Sequence, residues 1–171
     1  FHSNSQQGKS LLEVINHSSS AMGSRLLQRW LAMPLIDLEV LNGRHEAVDF
    51  FFHHSLVLEE VREALSEMGD LERLAAKVST GKILPRELLQ LARSLELCIK
   101  IREIIVKAET GPLDAILAKF HDGSRQIQLI KETLKDEPQN NLAKGEYIRE
   151  GFSSTLDDYR DLLYHGKEKL L

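Results

Sequence analysis

Apolar residues recur along this chain at the three- and four-residue intervals of amphipathic helices. Leu71, Leu74, Ala75 and Val78 fall at i, i+3, i+4 and i+7. Val57, Val61, Leu65 and Met68 form a second stripe, and Ser55 before them predicts an N-cap. Leu113, Ile116, Leu117 and Phe120 repeat the spacing after the break at Gly111-Pro112. Ile127, Ile130 and Leu134 continue it as far as Pro138, and Leu11, Leu12 and Ile15 predict a short helix near the start. Each of these stretches is too short to hold a helix in isolation, so each needs neighbours to cover its apolar face.

Two longer seams stand out. Leu84, Leu88, Leu91, Leu95, Cys98 and Ile105 follow a near-heptad spacing up to about Ala108, with Pro85 suited to a first helical turn. Arg102 interrupts the seam, which lasts only about three heptads, and this favours packing within one domain over an intermolecular coiled coil. Leu156, Leu163 and Leu170 share a seven-residue interval in a helix that resumes at about Thr155. That pattern reaches Leu171 without a capping glycine or proline, as expected of a helix continuing into a longer polypeptide. Between Gln139 and Gly151 the helical signal lapses. A short extended segment is predicted near 146–150, where Tyr147-Ile148-Arg149 lies between Gly145 and Gly151. The fold class is all-α, and residues 1–171 read as a single helical domain.

Composition narrows what such a domain does. With 171 residues, 42% hydrophobic and 28% charged, the chain is of ordinary globular make-up, and no apolar run approaches the ~20 residues that cross a bilayer. Phe1 to Gly8 lack the apolar core of a secretory signal. One cysteine rules out an internal disulfide and fits a reducing cytoplasm. Twenty-two basic residues face 26 acidic ones, for a net charge of −4. Phosphate contacts supply most of the affinity of a DNA-binding domain, so this balance argues against autonomous DNA binding.

Candidate chemistry then fails motif by motif. Gly8-Lys9-Ser10 resembles the end of a phosphate loop, but position 3 is serine where that loop needs glycine, and no hydrophobic strand precedes it. His45-Glu46-Ala47-Val48-Asp49 resembles a zinc-protease helix, except that Asp49 stands where the second imidazole is required. His45 instead continues the stripe Leu41, Val48, Phe52 and predicts a partly buried structural histidine. His53 and His54, about 100° apart on a helix, make a poor chelating pair. Glu59, Glu60 and Glu63, like Asp157, Asp158 and Asp161, read as solvated helix faces. Cys98 reads as a buried, inert thiol, and Trp30 with Leu26, Leu27 and Leu31 as core, with Arg25 and Arg29 on an adjoining face. No nucleophile, base and orienter come together. Catalytic, cofactor-binding, DNA-binding and metal residues are therefore expected to be none.

Three stretches carry a family resemblance. Ala21-Met22-Gly23-Ser24-Arg25-Leu26-Leu27-Gln28-Arg29-Trp30-Leu31-Ala32-Met33-Pro34-Leu35 is similar to the opening of the core domain of the MutS family of DNA mismatch-repair ATPases. Asp37-Leu38-Glu39 and Asn42 to Val48 fit the following helix, although His45 stands where the family usually has leucine. Upstream, Ser10-Leu11-Leu12-Glu13-Val14-Ile15 resembles the family's lead-in, so Phe1 to Gln7 look native. The second stretch is Gly69-Asp70-Leu71-Glu72-Arg73-Leu74, followed by Gly81 and Pro85-Arg86-Glu87-Leu88. The third runs from Gly145 to Leu171, through Ile148-Arg149-Glu150-Gly151, Leu156-Asp157 and Gly166-Lys167-Glu168.

The resemblance implies a lever of helices (domain III) that joins a DNA-gripping clamp to an ATPase domain. The clamp would be inserted just after the last helix here, the ATPase would lie further on, and the mismatch-reading wedge would precede residue 1. Neither a Walker loop nor a Phe-x-Glu wedge occurs in this chain. The fragment is thus expected not to be an enzyme. Its parent would be a homodimeric, cytoplasmic DNA-dependent ATPase that uses ATP and Mg and acts on mismatched or branched double-stranded DNA. Two other readings stay open: the core of a MutS-like paralogue acting on branched or recombining DNA, and a free-standing helical interaction module.

Overall fold

The computed structural model describes residues 8–108, 111–140, 142 and 146–165. The lead-in Phe1 to Gln7, Gly145, Gly166-Lys167-Glu168, Leu170 and Leu171 lie outside the described residues. Helices dominate: α1 Leu11–Ile15, α2 Ala21–Ala32, α3 Leu38–His53, α4 Ser55–Glu67, α5 Leu71–Ser79, α6 Pro85–Lys107, α7 Asp114–Leu117, α8 Ser124–Thr133 and α9 Ser154–His165, with a 3-10 turn at Gly111–Leu113. No strand occurs among the described residues, and the all-α expectation holds.

Local chemistry sets the ends of these helices. Ser10 and Glu13 form a capping box on α1, Ser20 Oγ accepts the Gly23 N–H at 3.1 Å, and Asp37 caps α3. Ser55 is not the cap of α4: it is the first helical residue, and His54 occupies the cap without a side-chain bond. The reason is continuity, because α3 runs to His53 and leaves a single residue between the two helices. Helix α5 closes in a Schellman motif. The Lys82 N–H reaches the Lys77 carbonyl at 2.9 Å and the Gly81 N–H reaches Val78 at 3.0 Å, with Gly81 at φ 64°, where a side chain would be strained.

The chain divides into two compact units. The first comprises Phe1–Arg73 and Leu97–His121. Its core is Phe50, Val61, Ala64, Ile101, Ile105 and Leu113, flanked by Ala47, Val57, Leu97 and Ile104. The second comprises Leu74–Glu96 and Asp122–Leu171, with Ala92, Ile130 and Leu134 buried against Leu88, Leu89, Tyr147 and Ile148. Helix α6 therefore gives its first half to one core and its second half to the other.

Several stripes pack differently from the expectation. In α6 the buried positions are Pro85, Ala92, Ser94, Ile101 and Ile105, while Leu88, Leu91 and Leu95 are half-buried. Small residues enter the tightest places, and Ser94 bonds back to the Gln90 carbonyl at 2.8 Å. In α3 the stripe of His45, Val48 and Phe52 is exposed, and the inward face is Ala47, Phe50 and Phe51. His45 is accordingly not a buried structural histidine. Trp30, Leu26 and Leu31 are exposed rather than core, and Leu27 is half-buried. Periodicity identifies an apolar face without supplying an element to cover it. After Gly111 the pattern yields only the 3-10 turn and the four-residue α7, with Phe120 beyond it. The expected extended segment is one antiparallel bridge, Leu134 with Ile148, made by Lys135 N–H to Tyr147 O at 3.0 Å and Arg149 N–H to Thr133 O at 2.8 Å.

Candidate functional site

The polar residues of the three sequence stretches act as clips between elements. In the first unit, Arg25 on α2 reaches across to the start of α5. Its Nη1 and Nη2 donate to Asp70 Oδ2 and Oδ1 at 2.8 and 2.7 Å, a bidentate pair. Nη2 and Nε also donate to Glu72 Oε2 at 2.6 and 3.1 Å. Asp70 caps the turn beneath by accepting the Arg73 N–H at 3.3 Å. The Arg25 guanidinium holds the Asp70 carboxyl below its usual range, aided by the Arg73 N–H and opposed by partial burial.

This pairing makes a pH prediction. Asp70 has a lower pKa folded than unfolded, so its stabilisation is present above the ordinary carboxylate range, about 3.9. It is lost as pH falls through the depressed value. Asp70→Asn is expected to lower the melting temperature at neutral pH, and the gap to the parent chain should close in acid. Thermal unfolding followed by circular dichroism across pH checks this, and a gap independent of pH contradicts it.

The second unit holds two comparable arrangements. At the start of α6, Glu87 accepts the Leu84 N–H at 3.0 Å and pairs with Lys77. Lys77 and the Leu84 N–H keep the Glu87 carboxyl below its usual value. Beside it, Arg86 Nε donates to the carbonyl of buried Pro138 at 2.9 Å. Around α9, Gly151 sits at φ 84°, and its N–H donates to Asp157 Oδ2 at 2.8 Å. Asp157 also accepts from Arg160 Nη1 at 3.1 Å, and Arg160 Nη2 donates to the Ile148 carbonyl at 3.0 Å. Asp157 is therefore a structural clip and not part of a solvated face, since helix start, turn and bridge converge on it. Arg149 makes a further link, with Nη2 to Asp136 Oδ1 at 2.8 Å.

Of the remaining candidates, only Glu46, Asp49, His53 and His54 share one depression. Ser10 Oγ accepts the Glu13 N–H at 3.3 Å, which commits that hydroxyl to a helix cap. Glu59, Glu60 and Glu63 are exposed along α4. His53 Nδ1 lies 2.9 Å from Asp49 O, and His54 Nδ1 2.8 Å from Phe50 O, so the two rings serve separate carbonyls. His54 also stacks on Phe50 with ring centres 4.2 Å apart. Both histidines line a depression of about 410 Å3 with Glu46, Asp49, Ala108 and Pro112. Among the described residues, no three His, Cys, Asp or Glu side chains are arranged to hold a metal ion. Cys98 is half-buried, and burial pushes its thiol up, away from the reactive thiolate. The Arg25 clip was not read from periodicity. Its signal is that Arg25 and Asp70 fall within two separate family-like stretches.

These features define an all-helical fold whose charged residues tie turns to helix starts. The family model described as MutS domain III matches residues 1–170, and the chain belongs to that family. It is 38% identical over 170 residues to the DNA mismatch repair protein MutS of Christiangramia forsetii, covering 99% of this chain and 20% of that protein. It is 36% identical over 165 residues to the protein of the same name from Thermosipho melanesiensis, covering 96% and 20%. The corresponding Thermotoga maritima protein is 36% identical over 164 residues, again 96% and 20%. The chain thus spans about a fifth of the length of these relatives.

Proposed function

We propose that residues 1–171 are one domain of a longer mismatch-repair protein, and that it serves as a lever between a DNA-holding clamp and an ATPase domain. The observation that supports this is α6, a single helix of 23 residues that supplies side chains to two cores. At 1.5 Å per residue such a helix is a stiff element, able to carry a displacement over tens of ångströms. If clamp and ATPase each favour one setting of the lever, their binding free energies are coupled reciprocally.

The parent's other properties belong to the same proposal: ATP and Mg as cofactors, mismatched double-stranded DNA as partner, a homodimeric assembly and a cytoplasmic location. The one phosphate-loop-like stretch does not fit a nucleotide. Gly8-Lys9-Ser10 opens a helix of only five residues, and Ser10 is spent on its capping box. ATP would be held elsewhere in the parent, and the fragment would have no activity of its own. Among the described residues, no helix is long and apolar enough to cross a membrane.

Fluorescence anisotropy with a labelled heteroduplex tests the division of labour. The isolated chain is expected to bind weakly or not at all at physiological salt, because its net charge is −4. Affinity tighter than about 1 μM, some 8 kcal/mol of binding, would show that this domain grips DNA itself.

A further inference from the structure

No described residue of α9 is buried. Tyr159, Leu162, Leu163 and Tyr164 are exposed, and Leu156 alone among its described apolar residues is half-buried. Apolar packing therefore gives α9 little hold on its own unit and little direction. The segment just before it is fixed firmly. Ile148 packs against the core of Ala92, Ile130 and Leu134, and the antiparallel bridge joins it to Leu134. Arg149 adds a bond from Nε to the Leu134 carbonyl at 3.2 Å, beside its pair with Asp136. Between this anchored segment and α9 lies Gly151, at a positive φ that glycine adopts without strain.

We propose that Asp157 and Arg160 form a releasable latch that sets the direction of α9 against the second unit's core, with Gly151 as the pivot. One carboxylate accepts the Gly151 N–H on Oδ2 and the Arg160 guanidinium on Oδ1, and that guanidinium also donates to the Ile148 carbonyl. The bonds run from pivot to helix and from helix back to the anchored bridge. They are directional, so together they fix an angle as well as a distance. The Arg160 and Asp157 side chains are 19% and 33% exposed, so water can take the place of each partner when the latch opens. Opening it disturbs no buried apolar contact, and α9 is therefore released well before the core around Ile130 and Leu134. The consequence for coupling rests on the lever reading above; the latch itself does not.

Hydrogen exchange in the full-length protein tests the latch, read by mass spectrometry on peptides covering 151–163 and α8. Asp157→Ala removes both acceptor oxygens, whereas Arg160→Ala keeps the Asp157–Gly151 bond and removes the return to Ile148. Each should raise exchange in 151–163 about tenfold or more, while α8 stays within about twofold. Asp158→Ala, which removes a neighbouring exposed carboxylate of the same helix, is the control and should change neither. Exchange in 151–163 no faster than in that control overturns the proposal. So does an α8 that loosens in step with α9, since the two would then open as one packed body. If Asp157→Ala folds too poorly to measure, Arg160→Ala decides alone. ATP turnover with and without mismatched DNA, measured on the same proteins, separates the latch from the lever. Faster exchange with DNA stimulation lost supports both, and faster exchange with stimulation intact keeps the latch and defeats the lever reading.

Discussion

Leu113→Ala is expected to destabilise the chain by about 2–5 kcal/mol, the range for truncating a fully buried leucine. Leu113 is only 1% exposed although it sits in a three-residue 3-10 turn. It fills the space between Phe50 of α3, Val61 and Ala64 of α4, and Ile101 and Ile105 of α6. Those helices cannot all close on an alanine, because Ala64 is already wholly buried and offers no side chain to move. The loss has two parts: the transfer free energy of the removed atoms and the cavity they leave. Leu113→Met, which conserves volume, should cost less than about 1.5 kcal/mol. Phe52→Ala is the control, since Phe52 is 80% exposed and should stay within about 0.5 kcal/mol. Urea denaturation followed by circular dichroism measures all three. A Leu113→Ala cost near that of Phe52→Ala would mean that the turn does not belong to the core.

The helices were legible in the sequence, and most of their contacts were not. Spacing alone located α4, α5 and α6 to within a residue or two, because a 3.6-residue repeat leaves a regular trace, whereas the pattern carried α8 past Thr133, where Leu134 turns extended into the bridge with Ile148. It could not separate an apolar face that is covered from one that is bare. Trp30 and Phe52 read as packed residues and are exposed, whereas Ala92 and Ser94 drew no notice and are buried. Hydrophobicity measures what a side chain gains by leaving water, and small residues register little of it, though close packing depends on them. The clips were still less visible. Arg25 and Asp70 are 45 residues apart, and no local pattern pairs them. Both lie in stretches that resemble one family, but nothing in the sequence joins one to the other. Asp157 reads from the sequence as part of a solvated face, whereas in the structure it ties a turn to a helix. Its role depends on Gly151 and Arg160 folding back on it, which composition cannot disclose.

Leu91→Pro is expected to break the element on which the proposed coupling depends. Leu91 lies in the interior of α6, among the residues given to the second unit's core (Leu88, Leu89, Ala92) and one to two turns or more ahead of those given to the first (Leu97, Ile101, Ile105). Proline there removes a main-chain hydrogen bond and clashes with the carbonyl of Glu87, at a cost of about 3 kcal/mol or more. Two milder variants keep the test sharp if this one folds poorly. Leu91→Ala removes the side chain and leaves the helix stiff, and Leu91→Gly softens it for about 1 kcal/mol relative to alanine. The most direct measurement is ATP turnover by the full-length protein with and without mismatched DNA, alongside mismatch affinity with and without ATP. The account predicts that basal turnover and DNA binding persist while each loses its response to the other, in the order Ala, Gly, Pro. Folded Leu91→Gly and Leu91→Pro proteins that keep full DNA-stimulated turnover would contradict it.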